Sequence, residues 1–184
     1  MAALVPFGEQ IVPVLVEALR SENDDLQLLT LQIVREIGPE AKDAVPAVIH
    51  ILRNGDRLLR SVAVTTLGAI GPAAKEAVPL VQQLIEREDD LLRAFAAHSL
   101  AQIDSRQRTG ALSVLLRLLE GEDLGVRLLA EAALAQMIEH LTSDKQYESA
   151  VYCDGPSFPP LLITRLWHSI HVGGSHLSAS LRTT

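Results

Sequence analysis

The sequence predicts an all-α chain, built as an α-solenoid of about four stacked helical hairpins and followed by a tail that does not repeat. Three observations carry this reading. The phrase IGPEAKDAVP at 37–46 returns as IGPAAKEAVP at 70–79, with eight of ten letters kept and an offset of 33 residues. Aliphatic positions recur at the same period, and at helical spacing inside each copy. Apolar residues make up 48% of the chain but aromatics only 3%, so the core is aliphatic, which suits packed helices better than a β-sandwich.

The repeat can be followed element by element. NDDLQ (23–27), DRLLR (56–60), DDLLR (89–93) and DLGVR (123–127) are spaced by 33, 33 and 34 residues. Downstream of each lie two aliphatic columns, Val34/Leu67/Leu100/Leu134 and Ile37/Ile70/Ile103/Met137. Upstream lie Val12-Pro13, Val45-Pro46 and Val78-Pro79, with Leu112-Ser113 in the fourth copy. Each copy reads as two helices. In the first, Asp43 is expected as N-cap, which puts Pro46 in the first turn, where a missing N–H costs little. The second opens at an N-cap acid, Asp56, Asp89 or Asp123, and runs through apolar positions such as Leu59, Val62, Ala63, Thr66, Leu67 and Ile70. Gly38-Pro39 and Gly71-Pro72 end it, the glycine taking a left-handed conformation that the following proline cannot extend. A helical pair of this size cannot bury its own apolar face, so pairs must stack, and the small-residue column Thr30/Ala63/Ala96/Ala130 permits close approach. The repeat unit spans 1–140, with copies at about 7–38, 39–71, 72–105 and 106–140.

Both ends depart from the pattern. Leu4 and Pro6 fall in the Ile37/Ile70 and Pro39/Pro72 columns, so residues 1–6 read as the close of a helical pair. The first pair then has no neighbour on one side. Ile11, Val14, Leu15, Leu19, Leu26 and Leu29 are expected to form an uncovered apolar face that favours self-association or capture of a partner. After His140 the helical period stops, and four of the six aromatics follow. Residues 141–184 read as an irregular or disordered tail, with one short helix at 159–171 from PPLLITRLWHSI. The composition shift there is abrupt, and non-native sequence is the alternative reading.

The ending TTLGAIGP, the stretch VRLLAEAALAQM, the Asp-x-x-x-Arg spacing and the period resemble the HEAT repeat, in its short bacterial form known as the PBS-lyase HEAT-like repeat. The resemblance covers about three quarters of the chain. It implies a right-handed α-solenoid of about four HEAT-like hairpins. It also implies an Asp–Arg ladder between repeats, here Asp56/Arg60, Asp89/Arg93 and Asp123/Arg127. The first copy has Gln27 in place of the arginine, which fits a terminal repeat with nothing upstream to pair with. Members of this family are mostly interaction scaffolds, and a minority are enzymes or enzyme subunits.

Charge and motifs narrow the function. The net charge of −7 opposes a nucleic-acid partner, because phosphate binding needs a basic surface. Acids crowd the turns, from Glu22, Asp24 and Asp25 through Asp56, Glu86, Glu88, Asp89 and Asp90 to Glu120, Glu122 and Asp123. They form a negative edge, read either as helix capping with solubility or as a dock for a basic partner. The lone Cys153 excludes an internal disulfide and suits a reducing compartment. With no evident signal peptide and no membrane-length apolar run, a cytoplasmic protein is expected. No catalytic motif is present. Deoxyhypusine hydroxylases resemble this repeat and hold iron through His-Glu pairs, but His50, His98 and His140 stand singly, and Glu139-His140 is one reversed pair. No metal and no cofactor are therefore expected. The second helices instead present Gln32, Glu36, Thr65, His98, Gln102 and Gln136, which suit a protein or peptide partner. The expected function is a non-catalytic scaffold that binds such a partner through this face or the acidic edge. The alternative is an accessory or catalytic subunit of a phycobilin-lyase-like enzyme.

Overall fold

The computed structural model describes residues 8–143, with side chains from 11 to 138. The expectations for residues 1–7 and for the tail, including the helix at 159–171, lie outside the described residues. Every regular element among the described residues is helical: α1 (Gly8–Leu19), α2 (Asp24–Ile37), α3 (Val45–Asn54), α4 (Arg57–Ile70), α5 (Val78–Arg87), α6 (Asp90–Ile103), α7 (Arg108–Leu118) and α8 (Leu124–Ser143). Short 3₁₀ segments at Gly38–Ala44, Gly71–Ala77 and Ser105–Gln107 join one pair to the next. Helix α8 runs three residues past the expected repeat end at 140, and a unit boundary falls between Ser143 and Asp144.

The turn acids cap as their chemistry requires. Asp56 accepts from the Leu59 N–H at 2.7 Å, and Asp89 from the N–H groups of Leu91 and Leu92 at 3.1 Å each. Asp123 accepts from the N–H groups of Gly125 and Val126, at 2.7 and 3.1 Å. Asn23 does the same for Leu26 at 3.0 Å. Each bond satisfies an amide that the first helical turn leaves without a partner. Asp43 is not a cap. It lies exposed in the 3₁₀ segment, and Ala44 takes the N-cap position with helical dihedrals and no side-chain bond. The 3₁₀ turn runs straight into α3, so the Val45 N–H already meets the Lys42 carbonyl and no side chain is needed. Pro46 and Pro79 do sit in the first turns of α3 and α5, whereas Pro13 lies inside α1.

Gly38 and Gly71 close α2 and α4 at φ 70° and 73°, with ψ −130° and −138°. The positive φ is as expected, but ψ is far from the left-handed helical value, in a region that essentially only glycine enters. The third junction uses other chemistry. Asp104 stands at the glycine position with φ −136° and accepts from the Arg106 N–H at 3.1 Å. The Arg106 guanidinium grips the same carboxylate, with Nη2 to Oδ2 at 2.9 Å. That hydrogen bond, first among the causes, holds the Asp104 carboxyl below its ordinary range.

The pairs pack in chain order. Each odd-numbered helix lies on the even-numbered helix that follows it, and the even-numbered helices lie side by side, α2 on α4, α4 on α6 and α6 on α8. Both aliphatic columns are buried along their whole length, and so is the small-residue column Thr30/Ala63/Ala96/Ala130. The core forms two clusters, one from α1 to α6 and one from α6 to α8. Helix α6 serves both. Leu92, Ala96, Leu100 and Ile103 face the first cluster, and Ala94, Ala97 and Ala101 the second. The apolar face of the first pair is smaller than expected. Leu15 and Leu19 are buried and Ile11 is half-buried, which leaves Val14, Leu26, Leu29 and Ile33 exposed.

Candidate functional site

The even-numbered helices bring the expected binding face together in part. Arg35 of α2, Thr65 and Ala69 of α4, Phe95, His98 and Gln102 of α6, and Leu129, Ala132, Ala133 and Gln136 of α8 line one cavity of 320 Å³. A second cavity of 270 Å³ adjoins it and is lined by Gly68, Ala69, His98, Ala101, Gln102, Arg108 and Met137. The two share Ala69, His98 and Gln102 in their linings, so they lie next to each other across the second helices and together make up the groove. Four of the six expected face residues, Thr65, His98, Gln102 and Gln136, line it. Gln32 and Glu36 do not; both are exposed on α2. Thr65, His98 and Gln102 are half-buried rather than fully exposed. The Thr65 hydroxyl donates back to its own helix, to the Val62 carbonyl at 2.9 Å.

The groove floor depends on Gly68, which in the sequence is legible only as part of a helix ending. A Cβ there would stand 2.9 Å from Ser99 Oγ and 3.0 Å from Ser99 Cα, and would collide with the Gln102 side-chain oxygen. Glycine lets α4 and α6 close up and leaves Gln102 room to lie across their crossing.

The Asp–Arg columns work differently from the expected ladder. Arg93 does not tie adjacent pairs together. Its Nε donates to the Ile85 carbonyl at 2.9 Å and its Nη2 to the Glu88 carbonyl at 3.0 Å, and it also pairs with Asp90. These bonds staple α5 to α6 inside one pair by satisfying carbonyls at the α5 C-terminus. Gln27 performs the same task in the first pair, donating to the carbonyls of Leu19 at 3.2 Å and Ser21 at 2.6 Å. Gln27 therefore does not mark a missing upstream neighbour; an amide reaches carbonyls at the end of α1 and just past it without needing a charge. Among the described residues, the ion pairs between helical pairs are Arg60 to Glu88 and Arg57 to Asp89, the latter at 3.0 Å. Nothing local in the sequence distinguishes Arg57 from other exposed arginines. Its guanidinium, more than any other cause, holds the Asp89 carboxyl below the ordinary carboxylate range. Arg127 is exposed and makes no ion pair or side-chain hydrogen bond among the described residues.

The acidic edge is partly consumed by this structural work. Asp56, Asp89 and Asp123 cap helices, and Glu88, Asp89 and Asp90 pair with arginines. Among the described residues, no three His, Cys, Asp or Glu side chains gather where they could hold a metal. No described helix is long and apolar enough to cross a membrane. No protein-family model, curated protein or solved structure matches the chain.

Proposed function

We propose that the chain is a non-catalytic scaffold of the HEAT-like helical-repeat kind, a right-handed α-solenoid that binds a protein or peptide in the groove across its second helices. The observation that carries this reading is the convergence of Thr65, His98, Gln102 and Gln136, from three successive second helices, on one groove. A groove built from repeated positions offers the same kind of contact at each step, which suits an extended or helical ligand better than one compact small molecule. Its neutral hydrogen-bonding side chains over an apolar floor match a polypeptide surface. The acidic edge is the weaker candidate, since capping and ion pairing occupy much of it. The surrounding negative charge argues against nucleic acid. The lone cysteine suits the reducing cytoplasm.

Affinity capture from extract of the source cells tests the reading. The full chain is compared with an Ala132→Trp, Gln136→Trp variant, in which bulk at two exposed positions of α8 fills the groove, and whose fold is checked by circular dichroism. Proteins retained by the wild type and lost by the variant are the expected result. The same proteins retained by both would place binding elsewhere.

A further inference from the structure

We infer that the groove receives an acidic peptide segment whose carboxylates are held by Arg35 and Arg108; this rests on the scaffold reading and names the chemistry of its partner. The chain carries a net charge of −7, yet among the described residues no Asp or Glu lines either cavity, while Arg35 lines one and Arg108 the other. The local sign is thus the reverse of the global one, and this makes a specific anion site in a molecule that repels anions at long range.

Both guanidiniums keep donors to spare. Among the described residues, the only carboxylate paired with Arg35 is that of Glu36, at 4.0 Å, with the two side chains 43% and 63% exposed. Arg108 makes no ion pair among the described residues and has one long contact, Nε to the Ala101 carbonyl at 3.5 Å. Arg57 and Arg106, by contrast, each hold a carboxylate at 3.0 Å or less. A guanidinium has five N–H donors in a planar fork that matches a carboxylate, so Arg35 and Arg108 are equipped to take one each.

The rest of the groove favours peptide over polynucleotide. A nucleic acid brings about one charge per 1.7 Å of duplex, which two arginines inside an acidic molecule do not offset. A peptide brings one or two. The amides of Gln102 and Gln136 can both donate and accept, as a peptide backbone demands. Phe95 and Leu129 offer apolar surface for the side chains between the charges.

Panning a random-peptide phage library on the full chain tests the inference. The best binder is then measured by fluorescence polarisation, beside its Asp→Asn, Glu→Gln counterpart, against wild type, Arg35→Gln, Arg108→Gln and Gln102→Arg. Selected peptides rich in Asp and Glu are expected, with binding roughly tenfold weaker for each arginine removed and for the neutralised peptide. Neutral or basic peptides blocked by Gln102→Arg but indifferent to the arginine variants would overturn the acidic preference and leave the groove reading standing. Peptides that no groove variant affects, or no selected peptide at all, would sink both. Single-stranded oligothymidylate binding as tightly as the peptide at about 150 mM salt would overturn the inference in favour of nucleic acid.

Discussion

The arginine column shows how one side chain can carry three different loads. Arg93 closes its own helical pair onto carbonyls, Arg60 reaches the next pair, and Arg127 makes neither kind of bond among the described residues. The consequences separate cleanly. Arg93→Ala leaves half-buried carbonyls short of a charged donor and should cost about 1–3 kcal/mol. Gln27→Ala loses the neutral version of the same staple and should cost about 1 kcal/mol. Arg127→Ala should stay within about 0.5 kcal/mol of wild type. Urea denaturation of the three variants checks the order, and equal costs would show that the column acts as a uniform ladder after all. Asp104 predicts a pH dependence. Its folded pKa lies below the unfolded value of about 3.9, so its contribution is complete above that value and lost as pH falls through the folded one. The stability lead of wild type over Asp104→Asn should therefore shrink as pH drops from roughly 6 to 3. A lead that is constant across that range would mean that the Arg106 contact does not act on the carboxylate.

At the scale of the element, two helical glycines make a controlled comparison. Gly68 in α4 and Gly110 in α7 gain the same intrinsic helix propensity on conversion to alanine, about 0.5–1 kcal/mol. A Cβ at Gly110 meets nothing within 4 Å, so Gly110→Ala should stabilise by that amount. A Cβ at Gly68 meets Ser99 backbone and side chain, so Gly68→Ala should instead destabilise by about 1–3 kcal/mol through overpacking. Thermal melts of the two variants should move in opposite directions. A stabilised Gly68→Ala would mean that α4 and α6 can separate at little cost, and the groove floor with them.

Residues 8–143 form a chain of nearest-neighbour interfaces, with α6 shared by the two core clusters. Among the described helices the inner pairs have a helical neighbour on both sides and the outer ones on one. Hydrogen exchange should then be slowest for the amides of α4 and α6, and more than about tenfold faster in α1 and the last turns of α8. Uniform protection across all eight helices would point to a single cooperative core instead. The same serial build explains why the groove draws on successive second helices, since these are the elements that lie side by side.

The sequence by itself determined what depends on local chemistry and on period. A 33-residue repeat with small and aliphatic columns in phase dictates which faces must be buried, and every one of those columns is buried. Caps at Asp56, Asp89 and Asp123 were legible because an N-cap needs only its own side chain and an amide two or three residues on. Only the tertiary structure decided which side chains meet across a gap. It drew Thr65, His98, Gln102 and Gln136 toward Arg35 in one groove and left Gln32 and Glu36 outside. It set both Arg93 and Gln27 on carbonyls at the end of the preceding helix, paired Arg57 with Asp89, and buried Leu15 and Leu19. The physical reason is the same in each case. The repeat specifies that pairs stack, but the reach of a side chain over a neighbouring helix depends on the angle and spacing of that stacking, which packing sets and no single stretch of chain encodes.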